Sequence, residues 1–374
     1  MVSQSYKADF LIVGCGFAGA TFARVVAENG RTSHIIDKRD HIGGNCYTYR
    51  DKGTQIEVHK YGPHIFHTSS KEIWDFINRF TSFNNYVNRV MAITGGQVYS
   101  LPINLHTINQ FFHKNLNPAD AEKFIESIRC KNFNVTNFED ALLSSIGRDL
   151  YEAFFKFYTV KQWGVNPKEI IVSTAKRLPI RFNYNDNYYD DTYQGIPTEG
   201  YTKIFERMLN HPNIKVFLGT DFDEYKNNWR QKYKNLVYTG SIDEYCSYHF
   251  GYLPYRAVVF KEIRGTELQG NAVINFTDMS VPYTRIHEHK WFTPDIKFES
   301  SIAFEEYSES TDSVTNPFYP IRNNESDILY NKYLNLTKEE DGVIFIGRLA
   351  EFKYYDMHQV VGSVMSKSKD FIKS

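Results

Sequence analysis

The stretch over residues 9–45, DFLIVGCGFAGATFARVVAENGRTSHIIDKRDHIGGN, is compatible with few folds. An apolar run over 10–13 reads as a strand that breaks into Gly14-Cys15-Gly16-Phe17-Ala18-Gly19. An amphipathic helix is expected to run from there to Asn29, with Gly30 as the residue that ends it. A second short strand over 33–36 leads to Asp37, at the spacing a dinucleotide fingerprint requires. Each residue type has a physical task. Gly14 makes the tight turn, Gly16 lets backbone amides approach a pyrophosphate, and Gly19 lets helix and strand pack closely. The helix N-terminus adds partial positive charge, and Asp37 can accept a ribose hydroxyl. A lone GxGxxG would be weak. Strand, glycines, helix, second strand and acid in that order predict a dinucleotide site; the bland alternative is a tight turn with no ligand.

At 374 residues the chain can hold two or three packed units. A formal net charge of -1 argues against nucleic-acid partners and against attraction to a membrane surface, so any basic site must be local. No run reaches the roughly 18 apolar residues of a membrane span, so no membrane insertion is expected. Cys15, Cys46, Cys130 and Cys246 are scattered, without CxxC or Cys/His metal spacing. That pattern predicts a reduced, cytoplasmic enzyme with no bound metal. His64 and His67 could be metal ligands, but the neighbouring sequence offers no suitably spaced third ligand.

Beyond residue 46 the periodicity changes several times. Residues 47–58 read as a hairpin or an extended segment, 69–80 as a helix, and 86–101 as a strand pair turning at Gly95-Gly96. Helices are expected over 107–114, 118–130 and 138–146, with Asn117 and Asn137 as N-caps and Gly147 as a stop. Residues 149–162 read as one helix, aromatic almost all round and therefore buried or lining a cavity. The basic, aromatic stretch 176–189 has Pro and Asn breakers, which suits a mobile loop able to pair a diphosphate through arginine. A helix over 200–209 and strands over 214–218 and 235–239 return the chain to the nucleotide-binding unit. Alternating segments at 257–263, 272–275 and 301–307 predict an antiparallel sheet. An apolar strand ends at Gly347-Arg348, and a closing helix begins near Asp356 with Met357, Val360, Val361, Val364 and Met365 on one face.

These segments together resemble the bacterial UDP-galactopyranose mutases, flavin-dependent UDP-sugar pyranose/furanose mutases. The resemblance runs nearly end to end, through GCGFAGA, DHIGGN, YGPHIFHT, FYTVKQWG, KRLPIRFNYNDNYY, VPYTRI, NPFYPI and GRLAEFKYYDM. His358 and Gln359 after the Tyr-Asp-Met run, and Cys15 in the glycine loop, depart from the pattern.

The resemblance implies FAD, active when reduced, with its N5 as nucleophile on the anomeric carbon. Gly14, Gly16, Phe17, Ala18, Gly19, Asp37, Lys38, Gly44, Asn45, His64, Ile65, Arg348, Tyr355, Asp356, Met357 and Val360 would bind that cofactor. Arg177 and Arg285 would clamp the diphosphate, and His67 would sit beside the flavin. Asn88, Phe154, Phe155, Tyr158, Thr159, Trp163, Tyr188, Asn275, Tyr319 and Tyr354 would hold the UDP-sugar. An external reductant, a homodimer and delivery of galactofuranose to surface polysaccharide are further implications. The 2-acetamido sugar is a second candidate substrate.

The expected fold is α/β, a discontinuous Rossmann-like FAD-binding domain with a helical insertion and an antiparallel substrate domain. Residues 1–87, 197–248 and 341–374 form the first unit, 105–172 the second, and 88–104, 173–196 and 249–340 the third, with a mobile loop near 173–190. The competing reading is an FAD-dependent oxidoreductase of the amine-oxidase type, which shares the glycine loop and the terminal Gly-Arg strand.

Overall fold

The computed structural model describes residues 6–131, 134–177, 179–310 and 317–372, with residues 176 and 177 described for backbone alone. Two sheets dominate the described residues. The first is five-stranded and parallel, in the order Val343–Phe345, Tyr233–Tyr238, Ala8–Val13, Ser33–Asp37, Ile214–Leu218. The glycine-loop strand Ala8–Val13 therefore lies at its centre, with Phe10, Leu11 and Ile12 buried on both faces, as a parallel strand covered on each side must be. Helix Phe17–Ala27 follows it and packs on the closing helix Met357–Ser368 and on Tyr201–Leu209.

The second sheet has seven strands, in the order Tyr319–Pro320, Tyr255–Gly265, Ser301–Ser310, Arg285–Glu288, Val273–Phe276, Val90–Thr94, Gln97–Leu101. Its pairings are antiparallel except between Val273–Phe276 and Val90–Thr94. The expected strand pair turns at Gly95 and Gly96, whose φ angles of 56° and 74° suit a two-residue hairpin.

The helical insertion packs on this second sheet. Ile108, Ile125, Leu142, Ile146, Phe154 and Trp163 share one apolar cluster with Val90, Tyr99, Val273 and Phe318. Asn117 and Asn137 cap their helices as expected, accepting from the amides of Asp120 and Asp140 at 2.9 Å each. The first helix of the insertion starts earlier than the periodicity predicts, at Leu105, because Asn104 accepts from the amides of His106 and Thr107.

Two features depart from the sequence reading. The single helix expected over 149–162 is interrupted: Arg148–Tyr151 and Phe157–Trp163 are α-helical, and Glu152–Lys156 between them is a π-helical turn. The extra residue in that turn rotates the aromatic faces before and after it, and such turns gather at functional positions. The 14-residue helix Asn324–Thr337 is the second, in a stretch with no clear apolar period. Asn323 and Ser326 form its capping box, and Tyr333 buries its ring among Ile242, Leu253 and Phe352.

Candidate active site

At the C-terminal edge of the parallel sheet a cavity opens where the glycine loop enters helix Phe17–Ala27. Gly14, Gly16, Phe17, Ala18, Asp37, Lys38, Gly44, Asn45, His64, Arg348, Met357 and Val360 line it. The glycines are required by contact. A Cβ on Gly14 would lie 2.0 Å from Thr239 Oγ1, and Gly14 has φ of 100°. A Cβ on Gly19 would lie 2.0 Å from the Gly14 carbonyl oxygen, so Gly19 serves helix–strand packing and stands outside the lining. The first amides of the helix have no acceptor in their own helix, and Gly16, Phe17 and Ala18, where it begins, line the cavity.

Asp37 holds the loop as well as the cavity rim. Its Oδ2 accepts from the Cys15 amide at 2.8 Å and its Oδ1 from the Arg39 amide at 3.0 Å. A carboxylate has lone pairs left after two such bonds for a ribose hydroxyl. Arg348 donates from Nε and Nη2 to the Tyr355 carbonyl at 3.0 and 2.6 Å, and from Nη1 to that of Phe318 at 3.2 Å. Tyr355 thus acts through its backbone. Asp356 is the N-cap of the closing helix, and Ile65 is buried in the neighbouring core. Along this rim the structure also enlists residues the sequence did not signal, among them Thr220, Asp223, Thr239 and Pro317.

Beside this cavity the seven-stranded sheet sets three polar side chains in one row. Asn275 is opposite Arg285, and Arg285 is opposite Glu306, on three adjacent strands. Directly opposed residues share a face, so the row presents amide, guanidinium and carboxylate together. Arg285 donates from Nε to Glu306 Oε2 at 2.8 Å, and His287 Nε2 lies 2.8 Å from the same oxygen. Burial opposes ionisation of Glu306, but Arg285 and His287 outweigh it and hold the carboxyl near 2. The pKa of His287 is lowered as well, mainly by burial, which disfavours its charged ring against the pull of Glu306. The Asn275 Oδ1 is buried without a hydrogen-bond partner among the described residues, so it is open to a ligand.

Aromatic rings frame the row. Trp163 lies 5.2 Å from Tyr319 and 5.4 Å from Tyr354, ring centre to ring centre, and the two tyrosines are 5.4 Å apart. Tyr158 is half-buried within electrostatic reach of Arg285, Glu306, Tyr188 and Tyr319, and desolvation pushes its phenol far above the ordinary range. Asn88 is buried, accepts from the Tyr86 hydroxyl at 3.1 Å, and receives the Tyr188 amide on its carbonyl at 2.8 Å. Thr159 is buried nearby. Phe154 packs edge-on to Tyr99 within the apolar core, and Phe155 is half-buried beside it.

His64 connects the two halves. It lines the cofactor cavity and feels both Arg348 and Arg285. Burial lowers its pKa to about 4, so the ring is neutral near pH 7, and its Nδ1 lies 2.7 Å from the Gly62 carbonyl. His67 has other neighbours. It lies outside the cavity lining, with its ring stacked on Tyr189 at 3.7 Å and its Nδ1 2.6 Å from Asp191 Oδ2. Arg177 ends the short helical turn Val172–Arg177, and its side chain lies outside the described residues.

Other supports escaped the sequence reading. Lys161 Nζ donates to the carbonyls of Phe276, Tyr283 and Val281 at 2.7, 2.9 and 3.2 Å, pinning the hairpin that carries Asn275 and Arg285. Arg256 donates from Nε to the Gln162 carbonyl at 3.0 Å and holds the end of the Trp163 helix. The missed signal for Glu306 is its spacing. It follows Ile302 and Phe304 at every second position, which puts a carboxylate on the apolar face of a strand.

A Rossmann-type dinucleotide cavity beside an arginine–aromatic pocket defines a nucleotide-cofactor protein with an adjoining site for an anionic ligand. Comparison with known proteins makes this specific. Residues 153–354 match the family model of UDP-galactopyranose mutase, and residues 12–80 match that of the NAD(P)-binding Rossmann-like domain. The chain belongs to the UDP-galactopyranose mutase family. It is 44% identical to the dTDP-fucopyranose mutase of Escherichia coli, over 97% of this chain and 98% of that one. It is likewise 44% identical to a probable UDP-galactopyranose mutase of Klebsiella pneumoniae, over 98% and 95%. A crystal structure of reduced UDP-galactopyranose mutase has the same fold, with a TM-score of 0.75 at 14% identity over 98% of this chain and 96% of that one.

Proposed function

We propose that the chain is a flavin-dependent isomerase that interconverts UDP-galactopyranose and UDP-galactofuranose. The observation that carries this reading is the Asn275–Arg285–Glu306 row, set among buried aromatic rings next to the dinucleotide cavity. The cavity's glycine turn, helix N-terminus and Asp37 suit the pyrophosphate and ribose of FAD. When bound and reduced, that cofactor supplies a nucleophilic nitrogen at the anomeric carbon.

The chain's own part is to hold the departing nucleotide. Glu306 fixes the Arg285 guanidinium through Nε, which leaves the Nη fork to pair with a phosphate. The pair is built before substrate arrives, so little reorganisation is needed as charge develops on the diphosphate. Arg177 is proposed to close on the same diphosphate from the opposite side. Tyr188, Tyr319 and Tyr354 are hydroxyl donors to it, and Phe155, Tyr158, Thr159, Trp163 and Asn88 frame the uridine. His64, kept neutral by burial, does not compete with the arginines for the anion. The surrounding rings keep water from the reacting carbon.

The remaining parts of the proposal are an external reductant, a homodimer, a cytoplasmic location and supply of galactofuranose to a surface polysaccharide. Among the described residues no helix is long and apolar enough to cross a membrane. An oxidoreductase of the amine-oxidase type fits less well, because hydride removal needs no guanidinium held by a carboxylate beside the cofactor.

The test is to load the protein with FAD, reduce it with dithionite, and offer UDP-galactopyranose, its 2-acetamido analogue and dTDP-fucopyranose separately. Chromatography then resolves the ring forms. The proposal expects furanose from UDP-galactopyranose with the highest kcat/KM and no stoichiometric oxidant. A clear preference for dTDP-fucopyranose would reassign the substrate, and oxidised sugar as product would reassign the reaction.

A further inference from the structure

His287 stands two residues after Arg285 on strand Arg285–Glu288, so the two side chains share one face of the sheet. On the next strand Glu306 is directly opposite Arg285, and Phe304 is opposite His287. The Glu306 carboxylate therefore meets a guanidinium and an imidazole together. One oxygen, Oε2, takes both: Arg285 Nε and His287 Nε2 each lie 2.8 Å from it.

The state of the imidazole follows from its surroundings. Burial lowers the pKa of His287 against the pull of Glu306, so the ring is neutral near pH 7. An ionised carboxylate only accepts, which puts the single ring proton on Nε2 and leaves Nδ1 bare. Nδ1 has no partner among the described residues, so nothing there draws the proton away from Glu306. The ring is fully buried, with Phe260 at 5.8 Å and His289 at 6.4 Å, centre to centre, which limits its rotation.

A carboxylate and a guanidinium commonly pair through two parallel N–H···O bonds. This pair does not. Oε1 is turned to the Thr284 hydroxyl, 3.4 Å away, and among the described residues Arg285 donates to Glu306 through Nε alone. We propose that His287 is a positioning residue whose Nε2–H holds Glu306 in this one-bond pairing and so keeps the Arg285 fork open for a nucleoside diphosphate. The inference rests on the proposed function for the identity of that anion. Without the imidazole, the carboxylate would turn to take a second bond from the guanidinium, and the fork would close on Glu306 instead of on phosphate. A neutral donor suits the task, because it orients the carboxylate without setting a second cation beside Arg285.

The test compares His287→Asn, whose amide is too short to reach Glu306, with His287→Gln, whose amide nitrogen takes the place of Nε2. UDP affinity is read by calorimetry on the oxidised, FAD-loaded full chain, and turnover of UDP-galactopyranose on the dithionite-reduced chain. His287→Asn is expected to weaken UDP by about 10-fold, the effect of one hydrogen bond to a charged group, and to lower kcat by about 10–100-fold. His287→Gln should stay within about 3-fold of wild type in both, because its donor remains. A merely structural histidine would leave the two amide variants alike. In a ¹⁵N-histidine spectrum of wild type near pH 7, the signal lost in His287→Gln should be that of a neutral ring with its proton on Nε2. Wild-type behaviour of His287→Asn, equal losses in the two variants, a His287 proton on Nδ1, or no affinity of wild type for UDP would overturn the proposal. Wild type that bound UDP without converting the sugar would remove the mutase reading, and the UDP affinities and the spectrum would then decide this proposal by themselves.

Discussion

Glu306 accepts a 2.8 Å hydrogen bond from Arg285 Nε across directly opposed positions on neighbouring strands. Glu306 is buried and is not tolerable alone at that depth, because an unpaired buried charge costs several kcal/mol. The relationship therefore serves both the stability of the sheet and the aim of the guanidinium.

Replacing Glu306 by Gln should lower turnover by about 10²–10³, the effect of losing one preorganised contact, while FAD stays bound. The pH dependence has a definite sign. The folded carboxyl titrates near 2 rather than the ordinary 4.5, so between those values the unfolded chain binds more protons. Stability from the ionised pair is complete above about pH 4.5 and is lost as pH falls toward 2. Urea denaturation at stepped pH should show the stability gap between wild type and Glu306→Gln shrinking through that window.

Arg285→Ala and Arg177→Ala should each reduce turnover by several orders of magnitude, with the flavin absorbance of the purified protein unchanged. Arg285→Lys should recover only part of the loss, because an ammonium cannot bond Glu306 through a planar fork and also pair with phosphate. Steady-state kinetics of the reduced protein are the measurement, and near-normal rates would remove either arginine from the site.

Gly19→Ala places a methyl 2.0 Å from the Gly14 carbonyl oxygen, a backbone atom that cannot step aside. The helix must move off its strand and the glycine loop must open. The expected result is a destabilisation of about 1–3 kcal/mol together with loss of bound FAD, read by thermal melting and by flavin absorbance. Ala at Gly30, where a Cβ meets nothing within 4 Å, should retain the cofactor.

Lys161→Met removes the donor shared by the carbonyls of Phe276, Val281 and Tyr283. Stranding these acceptors should cost about 1–3 kcal/mol. The hairpin between Asn275 and Arg285 should also lose its alignment with the helix that ends at Trp163. A lower urea midpoint accompanied by a raised KM for the UDP-sugar would show both effects.

Local chemistry was legible in the sequence and distant company was not. The glycine loop, Asp37 and the caps at Asn117 and Asn137 act within a few residues of themselves, so their spacing revealed them. Glu306 escaped because its partner lies 21 residues away in the chain, and because alternation shows a face without showing what stands across it. His64 and His67 illustrate the same limit. Both sit in one short motif, yet only the turn at Gly62 and the strand Phe66–Thr68 decide which imidazole reaches the cavity. The π-helical turn at Glu152–Lys156 leaves no period in an aromatic-rich stretch that could be told from an ordinary helix.

The central claim is that this site contracts a sugar ring on a nucleotide it never lets go, with help from an electron-rich cofactor. The most direct measurement follows the ring form of UDP-galactose by chromatography, in parallel samples of the FAD-loaded protein kept oxidised or reduced with dithionite. The account predicts equilibration of pyranose and furanose in the reduced sample and none in the oxidised one. Equal conversion in both samples, or none in either, would contradict it.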